Sequence, residues 1–188
     1  ELAPLWGIVL PAGDAEPCAA VQRAQWQCWH SAGAGLPLIR QLDRPGFITL
    51  RDETGRSLYA LLTGLSDRNA SLKFGADSPV LTVTLVSLAN LWQGDFATYW
   101  RAPEGYAGVI GDGARGPAVD GLGAQLAVLR GETAPAPGQR FDAALRSRVQ
   151  AFQLAQGLSP DGRAGPTTFM QLARAAGNTR EPRLGGER

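Results

Sequence analysis

Residues 141–172 read FDAALRSRVQAFQLAQGLSPDGRAGPTTFMQL, and in this stretch helical periodicity and turn chemistry agree position by position. Apolar residues recur at spacings of three and four, which place side chains on one face of a helix. These residues are Leu145, Val149, Phe152, Phe169 and Leu172. The pattern predicts two amphipathic helices, each of which needs a partner surface for its apolar face.

The segment between the two predicted helices carries residues that are typical of a tight turn. Gly157 suits the left-handed conformation that ends many helices. Pro160, Asp161 and Gly162 are turn residues, and Pro166 suits the first turn of a new helix because its missing N–H loses no bond there. The turn therefore predicts that the two helices are held at a fixed angle.

The same residues resemble the peptidoglycan-binding module of bacterial cell-wall hydrolases and envelope proteins. The signature of that module is Val-x-x-Phe-Gln on a helix, a Gly-Leu pair, and then Asp-Gly-x-x-Gly-Pro-x-Thr. The matching residues are Val149, Phe152, Gln153, Gly157, Leu158, Asp161, Gly162, Gly165, Pro166 and Thr168, with Leu172 at the end. The resemblance implies a small three-helix domain that binds peptidoglycan.

A shallow polar groove beside the turn is the site that the resemblance implies. The candidate peptidoglycan-binding residues are Arg146, Gln153, Gln156, Asp161, Gly162, Arg163 and Thr167. Arg163 and Arg146 are suited to bind a stem-peptide carboxylate through paired hydrogen bonds. Asp161, Gly162 and Thr168 also have a structural explanation, since turn formation and helix capping favour those residue types.

The domain boundaries follow from changes in composition. Apolar residues at helical spacing predict a first helix for the second domain, which we place at residues 117–177. They are Val119, Leu122, Leu126 and Leu129. Residues 103–116 are rich in glycine and proline and are predicted to form a linker or a loop docked on one of the domains. Residues 178–188 are predicted to be a disordered tail, and residues 1–102 a separate amino-terminal domain.

The composition excludes several classes of function. The chain has 188 residues and a formal net charge of +1, and its charged residues are dispersed. No basic run is interleaved with aromatic residues, so nucleic acid is not an expected partner. No apolar stretch is long enough to cross a bilayer, and residues 1–4 lack the features of a signal peptide. A protein working outside the cytoplasm would then carry its targeting or anchoring segment beyond this sequence.

The amino-terminal domain shows helical patterns followed by strand patterns. Helices are predicted from about Cys18 to Trp26 and at residues 36–42. β-like runs separated by turn residues predict an antiparallel meander. The runs are residues 47–50, 58–62 and 70–74, with a further strand at 80–85, a helical turn at 87–92 and a last strand at 96–101. This order predicts an α+β fold with helices and an antiparallel sheet.

The strand phrases of this domain resemble the C39 cysteine-peptidase-like fold. In that family a cysteine opens the first long helix and a histidine begins a central strand. Cys18 takes the first position, but Leu58 stands where the histidine belongs. A thiol without a base keeps a pKa of about 8.5 and is a weak nucleophile at neutral pH. The resemblance therefore implies a degenerate peptidase-like domain with no catalytic residue.

The single histidine of the sequence does not supply the missing catalytic base. His30, the only histidine of the sequence, follows Cys18 closely, whereas the family supplies its base from the sheet, and we assign His30 to a loop near Trp29. Cys18, Cys28 and His30 lack the fourth ligand and the spacing of a zinc site. We therefore expect neither a metal nor a cofactor in this region.

Cys18 and Cys28 are suited to form a disulfide in an oxidising compartment. An unbroken helix between them would separate their Cα atoms by roughly 15 Å, whereas a disulfide tolerates roughly 7 Å. A bridge therefore requires the helix that begins near Cys18 to end before Cys28.

The domain order resembles the periplasmic region of the type II secretion assembly ATPases of the ExeA or GspA family. That order is a degraded C39-like domain, a linker and a peptidoglycan-binding module. The phrase Leu91-Trp92-Gln93-Gly94 is similar to that family as well. The resemblance implies an inner-membrane protein whose ATPase lies outside this sequence and whose periplasmic part holds peptidoglycan. It also implies a GspB-type inner-membrane partner that helps the outer-membrane secretin assemble, and it leaves a homo-oligomer open.

Three functional hypotheses follow from the sequence. The leading one is a non-catalytic wall-binding region of secretion assembly. The second is a cysteine peptidase acting on cell-wall peptides, and the third is a protein-binding scaffold whose wall module is vestigial.

Overall fold

The computed structural model describes residues 1–9, 17–177 and 181–185, and of Pro17 it describes the backbone alone. The chain divides into two compact units. Unit 1 comprises Glu1–Trp100 together with Arg180–Arg188, and unit 2 comprises Arg101–Thr179. Unit 2 is therefore inserted, along the chain, between two parts of unit 1.

The described residues of unit 1 form a six-stranded antiparallel sheet with short helices. The helices are α1 (Leu2–Leu5), α2 (Pro17–Arg23), α3 (Gly35–Leu42) and α4 (Leu85–Leu91). The strands are β1 (Gln27–Ser31), β2 (Gly46–Arg51), β3 (Ser57–Leu65), β4 (Asn69–Lys73), β5 (Leu81–Thr84) and β6 (Phe96–Trp100), in the sheet order β1-β6-β2-β3-β4-β5. The predicted meander and the α+β class are confirmed.

The alternation of burial along β2 shows why the sheet forms. Ile48 and Leu50 are buried, while the residues between and after them are more exposed, as expected for a strand with one face against a core. One core cluster of unit 1 packs α1 and α2 against the sheet through Leu2, Ala3, Trp6, Ile8, Val21, Leu61 and Tyr99. The amino-terminal residues thus contribute a helix to this core.

Strand β1 corrects the sequence prediction for His30. His30 is not in a loop, because Gln27–Ser31 pairs antiparallel with β6 and places His30 opposite Ala97. β1 supplies hydrogen-bond partners for the edge of β6 that does not face β2. This pairing is long-range, so the local sequence pattern does not predict it. The side chain of His30 is exposed.

The end of α2 explains how the two cysteines meet. The helix stops at Arg23, and Gln25 adopts a positive φ of 63°, so the chain reverses before β1 begins. Cys18 and Cys28 are consequently joined in a disulfide with a Cα–Cα distance of 5.7 Å. The sequence required the helix to end between them, and it does so.

Unit 2 is built from α5 (Pro117–Leu129), α6 (Ala143–Ala155) and α7 (Pro166–Ala175). Asp142 caps α6 by accepting a hydrogen bond from the backbone N–H of Leu145 at 2.9 Å. The helices enclose a core that buries most residues of the predicted apolar stripes, whereas Leu129 and Phe152 are half-buried. That core contains Val119, Leu122, Leu126, Phe141, Leu145, Val149, Phe169, Met170 and Leu172.

The stretch 103–116, predicted to form a linker or a loop docked on one of the domains, belongs to unit 2. Ile110 is buried and forms a β-bridge with Ala164, with reciprocal backbone hydrogen bonds of 3.0 and 2.9 Å. A second bridge joins Arg115 to Arg140. These pairings satisfy backbone groups that lie far apart in sequence, so glycine-rich composition alone did not reveal them.

The tail also differs from the prediction of disorder over residues 181–185. Glu181 forms an ion pair with the buried Arg44 of unit 1, and Gly185 forms a parallel β-bridge with Gly64. Residues 178–180 and 186–188 of the predicted tail lie outside the described residues. Among the described helices, none has the length and apolar character needed to span a membrane.

Candidate functional site

Gln153 is the structural centre of the turn that the sequence singled out. Its side chain is 3% exposed, and its Nε2 donates to the Asp161 carboxylate at 2.9 Å, to the Arg163 carbonyl at 2.9 Å and to the Thr168 hydroxyl at 3.1 Å. Its Oε1 accepts from the backbone N–H of Gly162 at 2.9 Å. One amide therefore ties α6 to both the turn and the start of α7.

Gly162 must be glycine for two reasons. Its φ is +70°, a conformation that L side chains rarely adopt. A Cβ atom there would also lie 2.7 Å from Cγ of Arg146 and 2.9 Å from Cγ of Gln150. The turn thus passes directly over α6, and it brings backbone groups close to Arg146.

Asp161 is held by the turn rather than left free for a ligand. Its Oδ1 accepts from Gln153 and from the backbone N–H of Arg163, the latter at 2.8 Å. These bonds fix the backbone on either side of Gly162. The side chain of Arg163 then projects from a rigid base, and the residue is exposed.

A cleft of about 640 Å³ lies beside this turn within unit 2. Its lining residues are Val109, Gly111, Asp112, Ala114, Arg146, Gln150, Asp161, Gly162 and Arg163. Arg146 forms an ion pair with Asp112, and its Nε donates to Oδ1 of Asp112 at 2.8 Å. The Nε of Arg163 lies 3.6 Å from the position that a Cβ on Gly111 would take, so its guanidinium covers that glycine.

The charges of the cleft leave Arg163 as its available cation. Arg146 is paired with Asp112, and Asp161 accepts from Gln153 of α6 and from the backbone N–H of Arg163. Within the described ranges, no carboxylate forms an ion pair with Arg163. A guanidinium in this position presents a planar set of donors to a carboxylate, which is the geometry of a paired hydrogen bond.

The structure brings together four of the seven predicted site residues, namely Arg146, Asp161, Gly162 and Arg163. Gln153, predicted to bind the ligand, does not line the cleft. It is buried, and its side-chain amide forms hydrogen bonds inside the domain. Gln156 lines a different cavity of about 340 Å³, beside Phe152. Thr167 is half-buried and does not line the cleft.

Sequence reasoning missed Asp112 and Gln150. Asp112 lies in the stretch interpreted as a linker, and only the bridge between Ile110 and Ala164 places it opposite α6. Gln150 follows Arg146 by one helical turn, so the i, i+4 spacing on the polar face of α6 was the available signal.

The geometry of unit 1 bears on the peptidase hypothesis. Both cysteines of the sequence are consumed in the disulfide, so Cys18 has no thiol to ionise. Cysteine catalysis requires a thiolate nucleophile. Leu58 lies on β3 and His30 on β1, and the described residues contain no cluster of His, Cys, Asp or Glu suited to hold a metal ion.

Comparison with known proteins agrees with the geometry of unit 2. Residues 115–172 match the peptidoglycan binding domain family. The chain is 35% identical over 174 residues to general secretion pathway protein A of Aeromonas hydrophila, an alignment that covers 92% of this chain. The chain spans 31% of the length of that protein.

Two solved structures are also similar. A periplasmic domain of the EpsAB fusion protein of the Vibrio vulnificus type II secretion system is 29% identical, with a TM-score of 0.48 over 80% of this chain and 64% of that one. The N-terminal peptidase C39 like domain of a toxin secretion ATP-binding protein from Vibrio parahaemolyticus is 19% identical, with a TM-score of 0.35 over 53% of this chain and 80% of that one. Residues 115–172 are therefore similar to the peptidoglycan-binding domain family, and the chain is similar to general secretion pathway protein A over 92% of its length.

Proposed function

We propose that this chain is a non-catalytic, periplasmic peptidoglycan-binding region of a type II secretion assembly ATPase. In the proposal, unit 2 binds the cell wall through the cleft beside the Gly162 turn. The observation that carries it is the guanidinium of Arg163 on the rim of that cleft, which pairs with no carboxylate among the described residues, in a segment that matches the peptidoglycan-binding domain family.

The ligand chemistry follows from the groups that line the cleft. Peptidoglycan stem peptides carry carboxylates and amides, and Arg163 supplies charged donors for the former. Arg146 is already paired with Asp112 in an exposed ion pair, so Arg163 is the cation that a ligand carboxylate would meet. Binding to Arg163 leaves the internal hydrogen bonds of Gln153 intact.

A pull-down with purified peptidoglycan sacculi tests this proposal. The wild-type chain is expected to sediment with sacculi, and Arg163→Ala is expected to weaken binding by about tenfold, the loss of one charge-assisted hydrogen-bond pair. Arg163→Lys keeps the charge but loses the planar pair of donors, so it should fall between the two. Arg51→Ala removes one exposed arginine from the end of β2 and is the control for net charge.

Two results would contradict the proposal in different ways. Absence of wild-type binding would reject wall binding and favour the scaffold hypothesis. Equal losses in Arg163→Ala and Arg51→Ala would show that binding depends on net charge and that the cleft is not the site.

The non-catalytic assignment is part of the same proposal. It is supported by the disulfide at Cys18 and by the leucine at position 58. Mass analysis of muropeptides incubated with the protein should show no new cleavage product under oxidising conditions. Cleavage that disappears in Cys18→Ser would establish the peptidase hypothesis instead.

The assembly role extends the proposal beyond this chain. We infer that the full-length protein is anchored in the inner membrane and acts with a GspB-type partner while the outer-membrane secretin assembles. The similarity to general secretion pathway protein A supports this role. Co-purification of the two periplasmic regions tests it, and failure of the pair to associate at micromolar concentrations would count against the partner.

A further inference from the structure

The carboxy-terminal residues 181–185 make contacts that resemble those of a bound peptide. Gly185 donates from its N–H to the carbonyl of Thr63 at 2.8 Å, and its carbonyl accepts from the N–H of Leu65 at 2.9 Å. The two bonds flank Gly64 and form a parallel bridge. An extended segment that adds to a strand in this way uses the geometry of β-strand addition.

The end of β3 is available for this pairing. β2 pairs with β3 only as far as Leu62, and a register shift between Leu62 and Gly64 follows on the β4 side. Gly64 is suited to accept the tail, because a Cβ at that position would lie 2.4 Å from the carbonyl oxygen of Gly185. A side chain at position 64 would therefore exclude the tail.

A buried cation provides the second part of the site. Arg44 is 3% exposed, and it donates to the carbonyl of Tyr99 at 3.2 Å while its guanidinium stacks over the ring of Trp6 at 5.4 Å. Its carboxylate partner is Glu181 of the tail. Burial lowers the pKa of Arg44 and the charge of Glu181 opposes that shift, so the tail stabilises the charged form.

Asp43 provides the third part. It follows α3 with a positive φ of 51°, which is uncommon for a residue other than glycine. Its carboxylate pairs with Arg183 at 3.1 Å, and its carbonyl accepts from the N–H of Leu184 at 3.4 Å. Its carboxylate and its carbonyl thus both contact the tail, while its left-handed backbone ends α3 with its N–H bonded to the carbonyl of Ile39.

We propose that Asp43, Arg44 and the Thr63–Leu65 end of β3 form a peptide-docking site on unit 1, and that residues 181–185 of this same chain occupy it as an added strand. The ligand that this site fits is an extended segment with a glutamate and, two residues later, an arginine. The chain leaves unit 1 after Trp100 to form unit 2, and it then returns to unit 1, where residues 181–185 pair with the end of β3. This inference does not depend on what unit 2 binds.

Amide hydrogen exchange on the full chain tests the docking site through one tail residue. Gly185→Pro removes the N–H that bonds Thr63, whereas Gly185→Ala keeps it and adds a Cβ at an ordinary 3.6 Å from the Thr63 oxygen. We expect the Leu65 amide to exchange at least about tenfold faster in the proline variant and at the wild-type rate in the alanine variant. Amides of the β2–β3 ladder should keep their protection in all three proteins.

A second pair of variants tests the ionic part of the site. Glu181→Gln should also speed exchange at Leu65, while Glu104→Gln, at an exposed position in unit 2, should not. Protection should remain constant when the protein is diluted about a hundredfold, because a segment of the same chain binds at a fixed effective concentration.

Three outcomes would overturn the inference. Equal Leu65 exchange in the wild type, Gly185→Pro and Gly185→Ala would show that the tail does not dock. Loss of protection throughout the β2–β3 ladder in Gly185→Pro would make the tail part of the folding core rather than a docked ligand. Protection that falls on dilution would assign the site to the tail of a second copy.

Discussion

The side-chain oxygen of Gln153 accepts a hydrogen bond from the backbone N–H of Gly162 at 2.9 Å, across the turn that joins α6 to α7. The same amide donates to Asp161, Arg163 and Thr168 on the other side. Residues that resemble a ligand-binding signature therefore serve first to hold the turn. Arg163, which the turn positions, is the group that the proposed function assigns to the ligand.

Replacing Gln153 should destabilise unit 2. Gln153→Ala leaves the Gly162 N–H and the Thr168 hydroxyl without their buried partner, and we expect a loss of about 2–4 kcal/mol in the free energy of unfolding. Gln156→Ala, at the residue that follows the last residue of the same helix, should change it by about 0.5 kcal/mol or less. Urea unfolding of both variants measures the difference. Equal effects would mean that the Gln153 bonds contribute nothing net.

Adding one methyl group at Gly162 should cost more than at another left-handed glycine. Gly177 has a φ of +72°, and none of the described residues places an atom within 4 Å of a Cβ there, so Gly177→Ala reports mainly the backbone cost. Gly162→Ala adds contact with Arg146 and Gln150, and we expect its loss of unfolding free energy to exceed that of Gly177→Ala by about 1–2 kcal/mol. Thermal unfolding of the pair checks this. Equal losses would show that α6 moves aside freely.

The disulfide should stabilise unit 1 and not unit 2. Replacing Cys18 and Cys28 together with serine should lower the free energy of unfolding of unit 1 by about 2–3 kcal/mol, the value typical of a short closed loop. Reductant should produce a similar loss in the wild type and none in the double variant. Hydrogen exchange resolves the two units, and a matching loss in α5–α7 would contradict the assignment.

Alkaline pH should destabilise unit 2 through Tyr106. Its ring packs edge-on against Phe169 at 5.6 Å, and burial raises the pKa of its hydroxyl above the ordinary value of about 10. The neutral form is favoured by folding, so this stability is complete below the unfolded pKa and is lost as pH rises through the folded pKa. Tyr106→Phe keeps the ring but has no hydroxyl to ionise. This variant should lose less stability of unit 2 above a pH of about 10, as measured by amide hydrogen exchange in α5–α7 at increasing pH. An unchanged pH dependence in that variant would assign the effect to another group.

Most elements could be predicted from the sequence because they depend on short-range patterns. The three helices of unit 2 and their turn follow from apolar spacings of three and four residues and from Gly162 and Pro166. The meander of β2, β3 and β4 follows from alternation and turn residues. In the cleft, the sequence identified Arg146 and Arg163 because they lie beside that turn.

What the sequence determined by itself is thus the set of local elements, the turn chemistry and the requirement that the helix at Cys18 end before Cys28. The tertiary structure alone decided the pairing of β1 with β6, the ion pair of Asp112 with Arg146 and the docking of residues 181–185 beside Arg44. The physical reason is that each of these joins backbone groups or charged side chains that lie tens of residues or more apart in the sequence, and no local periodicity encodes such a partner.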